Sequence, residues 1–280
     1  TLQTARPLVS DRWADAGLLE AGGDWLEYSC FGPAPGQTPT LVLLHEGLGS
    51  RDLWRDFPKR LNAATGWGVC TYSRAGYGCS EPAALPRPLD YMAHEARLVL
   101  PEVLHAIGFE RGLLIGHSDG ATIAAIYAGT VHDPRLRGLV TIAPHFFTEE
   151  IGLTEIARAK QAFESGNLRS RLAKYHRDPD NCFRGWNDVW LHPEFKDWNV
   201  SDVLDEIRVP VLAIQGQEDQ YGTLAQIDEI ERRCPAPARR VVLPDCEHDP
   251  CYERPDRVLT ELTRFCADLE PDVVRPGAGS

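Results

Sequence analysis

Gly112-Leu113-Leu114-Ile115-Gly116-His117-Ser118-Asp119-Gly120-Ala121-Thr122-Ile123-Ala124-Ala125 is the stretch that decides the fold. Leu113-Leu114-Ile115 is an uninterrupted apolar run, as expected of a strand covered on both faces. The residues from Ala121 to Gly129 are small and mostly apolar, which suits a helix lying directly under a sheet. Between them stands Gly-x-Ser-x-Gly. In a strand–turn–helix context its two glycines permit a turn tight enough to project the Ser118 hydroxyl into a cleft. The helix that follows aims its first amides at developing negative charge. Ser118 is therefore a candidate nucleophile. A serine hydroxyl is poorly nucleophilic alone, so a base and a carboxylate to orient that base must be sought elsewhere.

Moving outward, short apolar runs alternate with amphipathic ones. Strands are expected at residues 40–44, 68–72, 136–142, 209–214 and 240–243, and helices at 52–64, 90–106, 224–233 and 254–269. This alternation predicts an α/β fold, a mostly parallel central sheet flanked by helices. Between residues 142 and 209 the periodicity is helical and no buried strand is evident, so a helical cap is expected there. The expected organisation is a core first part over 1–145, a cap over 146–208, and a core second part over 209–280 whose tail, Val274 to Ser280, is frayed.

Two loops qualify to assist Ser118. Gly216-Gln217-Glu218-Asp219 follows one expected strand and Leu243-Pro244-Asp245-Cys246-Glu247-His248 follows the next, so both lie at the carboxyl edge of the sheet beside Ser118. His248 is the candidate base. Asp219 is the candidate acid, with Glu218 as its rival.

With these residues in place, the chain from Thr40 to Leu269 resembles the α/β-hydrolase superfamily, in particular its capped, esterase-like serine hydrolases. The resemblance rests on His45 and Gly47, the Arg74-Ala75-Gly76-Tyr77-Gly78-Cys79-Ser80 loop, the Ser118 turn, Asp219 three residues after Gly216, and His248 before the last helix. It implies a Ser118, Asp219, His248 triad and an oxyanion hole made by the backbone amides of Gly47 and Asp119. The sequence departs from the family where His45-Glu46 replaces His-Gly and where acidic Asp119 follows the nucleophile. Two bare charges there would oppose an oxyanion, so Arg74 is expected to pair with Glu46 or Asp119. Substrate contacts are expected from Glu46, Arg74, His117, His145, Phe146, Trp186 and Trp190.

The implied activity is hydrolysis of a small carboxylic ester, lactone or thioester through an acyl-enzyme on Ser118. An alternative is carbon–carbon hydrolysis of aromatic ring-fission products, although those relatives carry Asn before the nucleophile and Trp after the histidine, where this chain has His117 and Asp249. Dehalogenases and epoxide hydrolases of the superfamily use an Asp nucleophile, which Ser118 argues against. A non-catalytic receptor for a small ligand is the alternative of another class.

Composition narrows the field further. The 280 residues carry a net charge of -12, which opposes binding to nucleic acid or to an anionic membrane. No apolar run is long enough for a membrane span, and no signal-peptide layout opens the chain, so a cytoplasmic location is expected, with the reservation that numbering begins at Thr1. The eight cysteines are scattered and read as reduced thiols. Cys246, His248 and Cys251 provide too few ligands for a zinc site, so no metal or cofactor is expected. The partner is a small-molecule substrate, and a homodimer is compatible with the sequence.

Overall fold

In the computed structural model, which describes Trp13 and residues 15–270, eight strands form one sheet in the order β1-β2-β4-β3-β5-β6-β7-β8. They are β1 (Gly17–Ala21), β2 (Asp24–Phe31), β3 (Thr40–Leu44), β4 (Gly68–Tyr72), β5 (Gly112–His117), β6 (Leu136–Ile142), β7 (Val211–Gly216) and β8 (Ala238–Leu243). From β4 to β8 every pairing is parallel, whereas β1–β2 and β2–β4 are antiparallel. The expected α/β class is what the chain adopts. The expectation for the tail from Val274 lies outside the described residues.

The amino-terminal hairpin was not foreseen, although its signal is present. Gly22 and Gly23 adopt φ of 66° and 84°, the paired left-handed conformation that a two-residue hairpin turn requires. Helices α1 (Phe57–Thr65), α2 (Tyr91–His94), α3 (Leu100–Ala106), α4 (Asp119–Thr130), α5 (Glu150–Glu164), α6 (Leu168–Leu172), α7 (Pro179–Trp190), α8 (Ala225–Arg233), α9 (Pro250–Glu253) and α10 (Pro255–Leu269) complete the framework. Two expected helices are interrupted. Residues 52–64 divide at Arg55, whose φ is 54°, before α1 begins. Residues 90–106 pass through a wide turn at Glu95–Val99, because Pro101 lacks the N–H that would close an ordinary turn onto Arg97.

The period of two in the strands feeds two cores. On β3, Leu41 and Leu43 pack with Phe57, Leu61, Val258 and Leu262 of α1 and α10, while Val42 and Leu44 face the opposite core with Leu100, Val103 and Ile123. Every residue of α4 from Asp119 to Gly129 is buried, which accounts for its small, all-round apolar composition. Between β6 and β7 the chain forms α5, α6 and α7, and the ends of this excursion are tied by Val200 N–H donating to the Phe146 carbonyl at 2.7 Å. None of the helices among the described residues is long and apolar enough to cross a membrane.

Candidate active site

Ser118 occupies the sharp turn between β5 and α4 with φ 53° and ψ -118°, a conformation rare for a residue with a side chain. The flanking glycines are sterically required. A Cβ on Gly116 would lie 2.2 Å from the Gly120 carbonyl oxygen, and one on Gly120 would lie 2.1 Å from the carbonyl oxygen of Leu44. The turn thus closes against its own helix and against β3, and the hydroxyl is held at the edge of the sheet.

His248 lies in the loop between β8 and α9, and its Nε2 is 3.0 Å from Ser118 Oγ. Its Nδ1 is 2.8 and 2.9 Å from the two carboxylate oxygens of Asp219. Asp219 is itself fixed by the N–H groups of Tyr221 at 2.8 Å and Gly222 at 3.2 Å. Burial alone would raise the Asp219 carboxyl, but the facing His248 and these hydrogen bonds outweigh it and hold the group below its ordinary range. Glu218 turns away and accepts the Cys246 N–H at 2.9 Å. The two loops approach so closely that a Cβ on Gly216 would meet the Glu247 carbonyl oxygen at 2.1 Å.

The turn after β3 brings Gly47 to the same edge. Among the described residues, no acceptor is present for the N–H of Gly47 or of Asp119. Arg74 does not form the expected ion pair. Its guanidinium donates to the carbonyls of His45 at 2.6 Å and Glu46 at 3.0 Å, and it acts on Asp119 only through space. The Glu46 carboxylate instead faces His117, with 3.6 Å between Oε2 and Nδ1. His117 donates through Nε2 to the His248 carbonyl at 2.7 Å. Burial works against the His117 charge, yet Glu46 and Asp249 raise its pKa to about 9, so the ring is an imidazolium at neutral pH.

The Asp119 carboxylate belongs to a buried hydrogen-bond network. It accepts the Tyr91 hydroxyl, which in turn accepts Trp190 Nε1–H at 3.2 Å. Burial raises the Asp119 carboxyl above its ordinary range, with Arg74 and Tyr91 opposing that rise. His145 lies beside this network, edge-on to Trp190 with 5.4 Å between ring centroids, and burial followed by the neighbouring His248 lowers its pKa to about 3. It is therefore a neutral ring.

Over Ser118 lies a cavity of about 170 Å³. Of the residues expected at the substrate, Glu46, His145, Trp186 and Trp190 line it, and so do Gly47 and Asp119. Three others do not. Arg74 is fully buried behind the turn, Phe146 is a core side chain, and His117 borders a separate recess of about 210 Å³ on the far side of Glu46. The lining also includes residues that the sequence reading missed: Leu48, Glu149, Gly152, Leu153, Ile156 and Tyr221. Gly152, Leu153 and Ile156 share one face of α5, a spacing legible in the sequence, but nothing in the spacing says what that face covers.

The chain matches the alpha/beta hydrolase family over residues 41–261 and belongs to that family. It is 25% identical over 256 residues to a pimeloyl-(acyl-carrier protein) methyl ester esterase of Aeromonas hydrophila subsp. hydrophila, covering 82% of this chain and 96% of that protein. It is also 21% identical over 300 residues to epoxide hydrolase 3 of Xenopus tropicalis, covering 92% and 79%. Among solved structures, the enol-lactonase from Burkholderia xenovorans LB400 is similar with a TM-score of 0.72 at 19% identity, over 89% of this chain and 99% of that one.

Proposed function

We propose that this hydrolase cleaves a small carboxylic ester, lactone or thioester through an acyl-enzyme on Ser118. The observation that carries the proposal is the continuous hydrogen-bonded line from Ser118 Oγ through His248 to Asp219. Ser118 Oγ attacks the substrate carbonyl carbon while His248 Nε2 takes the hydroxyl proton. The carbonyl electron pair moves onto oxygen, facing the unengaged N–H groups of Gly47 and Asp119. Collapse of this intermediate breaks the bond to the leaving group, which receives the proton from His248. Water then attacks the acyl carbon, gives a proton to His248, and the second collapse releases the acid and returns that proton to Ser118. Asp219 keeps Nδ1 protonated and stabilises the imidazolium formed in each half of the cycle.

Residues 146–208 act as a cap in this reading, supported by the contribution of α5 and α7 side chains to the cavity wall. The small volume and the Leu48, Leu153, Ile156 and Trp186 surfaces favour a short, mainly apolar acyl group. None of the lining residues is Lys or Arg, so an anionic substrate group would find no countercharge. The ester relative from Aeromonas agrees with the reading, and the presence of Ser118 rather than Asp at the nucleophile separates this chain from epoxide hydrolysis. The scattered cysteines suit the reducing cytoplasm.

A panel of short and aromatic esters, lactones, thioesters and a ring-fission dienone, run with Ser118→Ala, tests the proposal. Ester or lactone turnover that disappears in the variant is expected, together with fluorophosphonate labelling of the unsubstituted protein. Undiminished turnover in Ser118→Ala would overturn the mechanism. Selective cleavage of the dienone would favour carbon–carbon hydrolysis, and a protein that neither turns over nor labels but binds a ligand would be a receptor.

A further inference from the structure

We infer that Arg74 is a positioning residue of the oxyanion turn, holding the Glu46–Gly47 peptide so that the Gly47 N–H faces the carbonyl oxygen attacked by Ser118. The inference rests on the serine-hydrolase reading above. In a trans peptide the C=O and N–H lie in one plane and point in opposite directions, so whatever holds the Glu46 carbonyl also aims the Gly47 amide. That carbonyl accepts Arg74 Nη2 at 3.0 Å, His45 Nδ1 at 2.7 Å and the Gly49 N–H at 3.1 Å. Arg74 also controls the second of these donors. Its backbone N–H donates to His45 Nε2 at 3.1 Å, which leaves the proton of a neutral ring on Nδ1, and its Nη1 donates to the His45 carbonyl at 2.6 Å. His45 is neutral because burial, reinforced by the Arg74 charge, pushes its pKa well below the usual value.

The alternative orientation is blocked by charge. A flipped Glu46–Gly47 peptide would turn an N–H donor toward a guanidinium that can only donate, and would place a carbonyl oxygen where the oxyanion forms. Glycine at position 47 makes such a flip sterically easy, and beyond the Gly49 N–H of the turn itself and the adjacent His45 ring, the donor that holds the carbonyl from another element is Arg74. A charged donor on the carbonyl also polarises the peptide and makes its N–H a stronger donor.

The setting of Arg74 fits this role better than a purely structural one. The side chain is fully buried, yet no carboxylate lies within ion-pair distance among the described residues; Asp119 and Glu95 act on it through space and the Tyr77 ring lies 5.0 Å away. Burying a cation is costly and apolar side chains of similar volume often serve stability as well, so a guanidinium retained here calls for a reason beyond stability. Here the guanidinium spends its hydrogen bonds on two neutral carbonyls of one short turn.

The test compares Arg74→Lys and Arg74→Met with the unsubstituted enzyme and with Ser118→Ala, following ester turnover, thermal unfolding and inhibition by a trifluoromethyl ketone, whose adduct with Ser118 carries an oxyanion. Arg74→Met is expected to lower kcat by roughly 10²-fold, the scale of one lost oxyanion donor, with KM changed by less than about threefold. The affinity of the ketone should fall by the same factor as kcat. Arg74→Lys, which keeps the charge but cannot reach both carbonyls, should fall between the two. If Arg74→Met does not fold, Arg74→Lys decides alone: a kcat reduced by about tenfold or more at unchanged KM supports the assignment. Folded Arg74 variants with undiminished kcat and ketone affinity, or a loss confined to KM, would overturn it while the inactive Ser118→Ala left the serine mechanism standing. An active Ser118→Ala would remove the mechanism and this inference together.

Discussion

Replacing Gly47 by alanine places a methyl group where the structure has no room for one. The new Cβ would stand 2.3 Å from Trp186 Nε1 and 2.4 Å from Trp186 Cδ1. Ordinary contact needs about 3.5 Å, so the turn and the indole must separate by roughly 1.2 Å. The Gly47 backbone is not in the left-handed region, and alanine is therefore compatible with its conformation, which isolates the clash as the cause. If the turn yields, the Gly47 N–H moves by about that distance relative to Ser118, a misplacement that costs on the order of 10² in rate. That factor corresponds to about 2.7 kcal/mol of transition-state stabilisation. Because the obstacle is one side chain of α7, the double variant Gly47→Ala/Trp186→Ala should recover at least part of the loss in kcat, whereas Trp186→Ala alone should mainly weaken KM. The assay is steady-state hydrolysis of a chromogenic short-chain ester, with thermal unfolding as a control for folding. A Gly47→Ala enzyme with undiminished kcat would refute the packing argument. A double variant no faster than Gly47→Ala would show that the indole is not what the methyl group strikes.

Further outcomes follow from the same geometry. Tyr91→Phe removes the hydroxyl that the buried Asp119 carboxylate accepts and should cost about 1–3 kcal/mol. Thermal denaturation should then show a Tm lowered by roughly 2–10 °C, and an unchanged Tm would mean that Asp119 finds another donor. His117 has its pKa raised to about 9 in the folded chain, against about 6.5 when unfolded. Its charge therefore contributes stability that is complete below about pH 6.5 and lost as the pH climbs through about 9. The Tm advantage of the unsubstituted protein over His117→Gln should shrink between pH 6 and pH 9, and a constant difference would argue against the Glu46–His117 pair. Gly120→Ala should be hard to obtain folded, since its Cβ would lie 2.1 Å from the fixed Leu44 carbonyl oxygen; soluble expression at the normal Tm would contradict that close approach.

Local chemistry made the framework legible. A buried strand, two glycines around Ser118 and a small-residue helix can be read in sequence because each is a property of neighbouring residues: backbone freedom, turn radius and apolar period. The same logic found Asp219 and His248, whose loops end consecutive parallel strands and so must share one edge. The glycines of the β1–β2 hairpin could have been read in this way as well.

The partners of side chains were a different matter. The charge of Arg74 points in sequence to a pair with Glu46 or Asp119, but β3 and β4 lie side by side, and the guanidinium meets the carbonyls of the turn while His117 takes the Glu46 carboxylate. Phe146 looked like a pocket aromatic and is core, whereas Leu153, Ile156 and Tyr221 reach the cavity from α5 and from the loop after β7. The sequence by itself determined the class of fold and picked out Ser118, His248 and a choice of Asp219 or Glu218 as the candidate triad, since these depend on local backbone preference and strand order. Which groups surround Ser118, and which carbonyls and carboxylates hold them, was decided only by tertiary structure, because those contacts join segments far apart in the chain and depend on how helices and strands pack in space.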